Sequence, residues 1–392
     1  MFSLGLLGGS AFAGSPATFA ASSVVVSSVF GQRNVRSGDL DGDGDLDLLT
    51  YSNSGLFVHY NPGHLTTVWT LVQITSDSMC AATLGDLDRD GDLDLVGMTS
   101  GSIQLKTYIW SGTIHVASQT LTIADGIAAG RGHLELGDLD RDGDLDVIYG
   151  HENLTELSYN MNMGGSFGGG VAGTLTIISG IQQIRIGDLD SDGDLDVAAV
   201  TGTELAAYMN PGALPGAFEH RIAGTLTLSA SNSLALADLD SDGELDLAAA
   251  NPNVGGSEIL GFKRDGSTFS PLFALTTLIP RALQAADLDA DGDMDLQFVS
   301  NSRDIGWLQN KGSSWSFERL PGGPQSQYAA VGAADLNGDG REDYLYIDNQ
   351  NGSLGFHQQN GKAKAHPIHW SGTVGLTTVS YTHLTLPTIY SV

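Results

Sequence analysis

Seven strings of alternating aspartates hold most of the chemistry this chain could do. Counted from its first Asp, each string places Asp, or once Asn, at positions 1, 3, 5 and 9 and a glycine at position 6. The first is Asp39, Asp41, Asp43, Asp45 and Asp47, and the second Asp86, Asp88, Asp90, Asp92 and Asp94. The third is Asp138, Asp140, Asp142, Asp144 and Asp146, and the fourth Asp188, Asp190, Asp192, Asp194 and Asp196. The fifth is Asp238, Asp240, Asp242, Glu244 and Asp246, and the sixth Asp287, Asp289, Asp291, Asp293 and Asp295. The seventh is Asp335, Asn337, Asp339, Arg341 and Asp343. Alternate residues of a tightly wound loop point inward, and a glycine lets the loop turn sharply enough to bring position 9 back. Such an oxygen cage suits a hard cation, above all Ca²⁺, which takes six to eight oxygens at about 2.3–2.6 Å. Position 7 supplies its backbone carbonyl on this reading, so its side chain is free to vary, and it runs from Asp to Glu244 and Arg341.

The tally of acids agrees. Of the 28 places at positions 1, 3, 5 and 9, 27 are Asp, out of 46 acids in the chain. Up to seven Ca²⁺ ions are therefore expected, offsetting about half of the net charge of −29. Without metal, each loop holds mutually repelling carboxylates, so metal binding is expected to be coupled to folding. An EF-hand would need a Glu at position 12 and flanking helices. That position holds Thr50, Gly97, Tyr149, Ala199, Ala249, Phe298 and Tyr346. Nonapeptide Ca²⁺ β-helices fail on period.

The first aspartates are 47, 52, 50, 50, 49 and 48 residues apart. One unit of supersecondary structure is thus repeated. An apolar stretch such as Trp69–Thr75 opens a unit, and small apolar residues such as Met79–Leu84 lead into the string. A β-type run such as Leu93–Met98 leaves it, followed by an alternating stretch such as Ile103–Tyr108. Turns such as Asn61-Pro-Gly63 and Asn210-Pro-Gly212 punctuate them. Short alternating runs and turn signals indicate strands. Four strands per fifty residues predicts an all-β fold, a β-propeller of about seven four-stranded blades. An open stack of sheets is the alternative, but it leaves exposed ends. The segment Ser22–Ser28 is placed to close the ring against the last blade.

The motif D-x-[DN]-x-D-G-x-x-D, intact in all seven units over residues 18–378, resembles that of the FG-GAP/VCBS repeat proteins, whose relatives include the propeller of integrin α subunits. The resemblance implies Ca²⁺ held on one rim by positions 1, 3, 5 and 9 with the position 7 carbonyl. It also implies extracellular adhesion or binding, sometimes as a module of an enzyme. The turn Trp307–Gly312 followed by Phe317 is similar to the VCBS type, and no literal Phe-Gly-Gly-Ala-Pro occurs.

Composition narrows the partners. With 17 Lys and Arg against 46 acids, the chain is poorly suited to nucleic acid or an anionic membrane. No apolar run is long enough for a membrane helix. Cys80 is the single cysteine, so it forms no intrachain disulfide and reads as a small buried hydrophobe. Residues 1–17 read as a signal peptide or linker: Ala11-Phe-Ala13 is similar to a cleavage site, but the first basic residue is Arg33. Residues 379–392 resemble a translated sequencing adapter, with a truncated eighth unit ahead of them around Ala365–Trp370.

Catalytic constellations are scarce. His151-Glu-Asn-Leu-Thr155 lacks the second His of a zinc-protease helix. The glycines of Gly164–Gly170 read as a turn. Trp110, Trp307, Trp315 and Trp370 either pack between blades or stack on sugars. The expectation is a secreted or cell-surface, monomeric, non-catalytic scaffold binding a protein or glycan on a propeller face. The alternatives are a propeller-type polysaccharide lyase or hydrolase, or an accessory module of a larger enzyme.

Overall fold

The computed structural model describes residues 19–360, apart from the short segments 21–22, 28–30, 64–68, 125–129, 155, 177–179, 213, 215, 227–232, 252–257, 267, 277–279, 301–304, 321–327 and 349–351. The first 18 residues, the 365–370 stretch and the 379–392 tail lie outside the described residues.

Strand β1 spans Ser23–Ser27. Blade 1 then comprises β2 (Val35–Gly38), β3 (Asp47–Ser52), β4 (Gly55–Tyr60) and β5 (Thr70–Thr75). Blade 2 holds β6 (Met79–Gly85), β7 (Asp94–Thr99), β8 (Ile103–Trp110) and β9 (His115–Ala124). Blade 3 holds β10 (Gly132–Gly137), β11 (Asp146–His151), β12 (Glu156–Asn162) and β13 (Phe167–Thr176). Blade 4 holds β14 (Ile181–Gly187), β15 (Asp196–Thr201), β16 (Glu204–Met209) and β17 (Glu219–Thr225). Blade 5 holds β18 (Ser233–Ala237), β19 (Asp246–Asn251), β20 (Glu258–Asp265) and β21 (Thr268–Thr276). Blade 6 holds β22 (Pro280–Ala286), β23 (Asp295–Ser300), β24 (Ile305–Asn310) and β25 (Trp315–Arg319). Blade 7 takes β26 (Tyr328–Ala334), β27 (Asp343–Asp348) and β28 (Ser353–His357), and its fourth strand is β1. No helix occurs among the described residues.

Every blade is an antiparallel meander. Its second strand is buried from end to end, as in β3, β7 and β11, whereas no residue of the outer strand β5 is fully buried. The second strands therefore read as continuous apolar runs, because both of their faces meet neighbouring blades. The first strands form the inner ring, and β2 touches both β6 and β26, so the ring closes. One offset from the sequence reading stands out. The stretch Trp69–Thr75, read as opening the second unit, supplies the outer strand of blade 1. Each sequence unit is shifted by one strand from the sheet, and β1 fills the place this shift leaves in blade 7, pairing with β28.

Seven apolar cores lie between successive blades. The closing core joins Val25 of β1 to Val35 and Leu48 of blade 1 and to Leu345 and Phe356 of blade 7. The residue at position 2 of every Asp string is a buried leucine: Leu40, Leu87, Leu139, Leu189, Leu239, Leu288 and Leu336. Each contributes about 2 kcal/mol by burial and so anchors an acidic loop to an inter-blade core. Trp110 and Trp307 are buried between strands rather than displayed. Gly168, Gly169 and Gly170 belong to β13, so the turn read over 164–170 is confined to its first part. They lie where the register with β12 shifts between Asn160 and Asn162, and Gly168 has φ of +109°.

Candidate metal centre

Each Asp string connects the first strand of a blade to the second, so the seven loops share one end of the ring. Position 9 is the first residue of the second strand. Its carboxylate accepts two backbone N–H groups and thereby ties three segments together. In blade 4, Leu189 N donates to Asp196 Oδ2 at 2.8 Å and Asn210 N to Oδ1 at 2.7 Å. The same pair recurs on Asp47 and on Asp295. Position 1 receives the amides of positions 5 and 6, as where Asp192 and Gly193 donate to Asp188 at 3.1 Å. Position 5 receives the amide of position 7, at 2.8 Å between Asp194 N and Asp192 Oδ1. These bonds wind the loop tightly. They also require left-handed backbone at two positions. The glycine at position 6 has φ of +90° in Gly193, as expected, and position 4 is left-handed as well, at +77° in Gly42 and +62° in Arg89.

Positions 1, 3 and 9 bring carboxylate oxygens within 4.8 Å of one another in the second to fifth strings, as in Asp188, Asp190 and Asp196. In the first string the group is Asp39, Asp41 and Asp43. Positions 5 and 7 stand outside these groups in the second to fifth strings. Burial pushes the position 9 carboxyls up, with smaller contributions from neighbouring aspartates. Asp47, Asp146, Asp196 and Asp343 rise to about 7, Asp94 and Asp246 to about 6, and Asp295 to about 9. Asp41, Asp88, Asp140 and Asp190 at position 3 are also raised, by burial first and then by the adjacent aspartates. Asp138 Oδ1, Asp190 Oδ1 and Asp240 Oδ1 are buried with no hydrogen-bond partner. Orphaned, like-charged oxygens gathered in a small volume are what a divalent cation neutralises, so the donor set fits Ca²⁺.

Several contacts escaped the sequence reading. In blades 1, 3, 4, 6 and 7 an amide side chain at the end of the third strand or just beyond it clips the blade to its predecessor. Asn61 Nδ2 donates to Leu336 O at 2.9 Å, Asn162 to Leu87 O at 2.7 Å, Asn210 to Leu139 O at 2.8 Å and Asn310 to Leu239 O at 2.9 Å. Gln359 does the same to Leu288 O in blade 7. In blade 5, Arg264 instead reaches Ser191 Oγ at 2.7 Å and Asp190 O at 2.6 Å. Their sequence signal was the asparagine 14–16 residues after four of the position 9 aspartates, Asp47, Asp146, Asp196 and Asp295, which read only as turn chemistry. Side chains at position 7 also bridge loops. Arg89 Nε lies 2.7 Å from Asp144 Oδ1, and Arg141 Nε 2.5 Å from Asp194 Oδ1. In the seventh loop the Arg341 guanidinium pairs with Asp339 of its own loop, and Asn337 replaces an aspartate.

The FG-GAP-like repeat profile matches residues 39–97, 86–149, 138–199, 188–249, 238–297 and 287–346. The chain belongs to the FG-GAP-like repeat family. Successive matches overlap and begin on the first six Asp strings, and the last runs through the seventh. No curated protein sequence matches. Among solved structures, an Agrocybe aegerita lectin that recognises non-reducing terminal N-acetylglucosamine is similar at 18% identity and a TM-score of 0.53, over 74% of this chain and 80% of the lectin. BBS1N in complex with ARL6DN is similar at 13% identity and a TM-score of 0.62, over 89% of this chain and 99% of that one. At such identities the likeness concerns the fold.

At the other end of this FG-GAP-like ring the first residues of the inner strands surround a channel, with a cavity of about 620 Å³. Arg33, Arg36, Arg131, His133, Arg185 and Arg281 line it, together with Tyr51, Glu135 and Glu152. Arg36 and Arg185 both bond Glu135 Oε1, at 3.0 and 2.8 Å. Burial, followed by the nearby arginines, pushes His133 down to about 3, so its imidazole is neutral. Cys80 is buried, with its thiol pushed up to about 12 by burial.

Proposed function

We propose that this FG-GAP-like propeller is a Ca²⁺-stapled extracellular scaffold that binds a protein or glycan partner on a face of the ring, without catalysis. The observation that carries it is the set of Asp loops with buried, unpartnered carboxylate oxygens. A divalent cation would give these oxygens the ligand and the counter-charge they lack. Extracellular Ca²⁺ modules bind at about 10⁻⁴–10⁻³ M, which suits loading outside the cell. Positions 1, 3 and 9 would hold the ion and position 7 would add a carbonyl. The ion's contribution is to neutralise each loop and fix the end of the ring that carries it. The sugar bound by the similar lectin and the ARL6 bound by BBS1N support the choice of partner classes.

Thermal unfolding of the full chain, titrated with Ca²⁺, Mg²⁺ and chelator, tests the metal part. A large rise in Tm specific to Ca²⁺ is expected, and no response would remove the metal from the proposal. Binding to immobilised glycans, including ones ending in N-acetylglucosamine, with and without Ca²⁺, tests the partner. The channel cluster favours a second reading, a polysaccharide lyase or hydrolase, because it sets His133, Tyr51 and acids together away from the Asp loops. Turnover that disappears in His133→Ala and survives in Asp-loop variants would replace the binding reading.

A further inference from the structure

We infer that the channel end remote from the Asp loops is a binding site for an oxyanion, a carboxylate or sulfate group carried by a small ion or by an acidic sugar. In a chain of net charge −29, five of the twelve arginines converge on this one cavity. They meet only two glutamates there, a surplus of three positive charges. Glu135 is already shared by two guanidinium groups, and its side chain is nearly buried, so it cannot balance the rest. Arg33 is held across the mouth by Gly130 O at 2.8 Å and Asn53 Oδ1 at 2.9 Å, which fixes one wall.

Two donors remain in want of an acceptor. Arg281 Nε and Arg36 Nε are buried and have no hydrogen-bond partner. A buried donor left unpaired is costly, and the neighbouring positive charges exclude a cation. A guanidinium presents a planar fork that matches a carboxylate or sulfate. The arginine side chains therefore supply both the charge and the geometry that an oxyanion needs. The Arg281 guanidinium is itself destabilised, by burial and then by the nearby Arg131, so an anion beside it relieves that cost. Arg281 lines only the cavity remote from the Asp loops, whereas Arg36 and Glu135 also line the adjoining cavity that reaches Asp39, Asp86 and Asp92.

Isothermal titration calorimetry on the full chain, at fixed Ca²⁺ and fixed ionic strength, tests it with sodium sulfate, sodium glucuronate and neutral glucose. Saturable binding of sulfate and glucuronate but not glucose is expected. Binding of glucuronate alone would show that the group is read as part of a sugar. Arg281→Met should weaken binding about tenfold or more. Arg281→Lys should keep part of it, and Arg221→Met on the outer strand β17 should leave it unchanged. Failure of both anions to bind the wild type would overturn the inference. So would binding that is equal in wild type and Arg281→Met, or in glucose and glucuronate.

Discussion

Replacing Asp196 with Asn separates the burden of a buried charge from the benefit of a metal ligand. In the metal-free protein, burial raises the Asp196 carboxyl from 3.8 to about 7. A raised carboxyl gives stability that is fully present below the unfolded value and is lost as pH rises through the folded one. Above pH 8 the lost stability is about 4 kcal/mol. Asp196→Asn removes that loss. The amide keeps one acceptor oxygen, however, so either Leu189 N or Asn210 N loses its partner, at a cost of about 1–3 kcal/mol. Metal-stripped Asp196→Asn should therefore be more stable than metal-stripped wild type at pH 8.5, by about 1–3 kcal/mol. At pH 4.5 the wild-type carboxyl is protonated in the fold, the gain shrinks to about 1 kcal/mol, and the lost acceptor dominates. In saturating Ca²⁺ at pH 8.5 the variant should be the weaker protein, because it has lost a ligand. Equilibrium urea unfolding of both proteins in the three conditions gives the comparison. Equal destabilisation of the metal-stripped variant at both pH values would refute the reasoning, since the buried charge would then carry no cost.

Other substitutions probe single contacts. Asn210→Ala leaves Leu139 O without its 2.8 Å donor and should cost about 1–3 kcal/mol in urea unfolding, with the number of Ca²⁺ ions bound in calorimetry unchanged. Burial pushes His59 from 6.5 down to about 4. A depressed histidine gives stability present above 6.5 and lost as pH falls through 4, about 3 kcal/mol. His59→Gln should therefore show a shallower acid decline than wild type. The seventh loop, with Asn337 and the Arg341–Asp339 pair, should bind Ca²⁺ more weakly than the others. The double variant Asn337→Asp, Arg341→Asp should strengthen the weakest phase of a Ca²⁺ titration.

What could be read from the chain was local and periodic. The Asp spacing, the glycine at position 6 and the short alternating runs all lie within one unit, so seven copies made the blades and the loops legible. The left-handed position 4 was harder to see. Only Gly42 and Gly338 mark it, while Arg89, Arg141, Ser191, Ser241 and Ala290 adopt it under the pull of the loop's hydrogen bonds. The asparagine clips reach carbonyls in a preceding blade, so their role exists only once blades pack. The cationic channel was invisible for the same reason. Its arginines come from four blades at no common spacing, and only closure of the ring brings them together. The one-strand offset also depends on that closure, because β1 and β28 are far apart in sequence.

That distance sets a timetable for synthesis. Some 325 residues separate the end of β1 from the start of β28. At roughly 5–20 residues per second a ribosome needs about 16–65 s to make them. Blades 1 to 6 carry all four of their strands in order and can form as they emerge. Strand β1 must wait through that interval with its pairing edge and Val25 uncovered, while β26, β27 and β28 have yet to be made. An early strand with an open edge is a template for the wrong partner, including the β1 of a neighbouring nascent chain. The last event in making this ring is therefore the capture of its first strand.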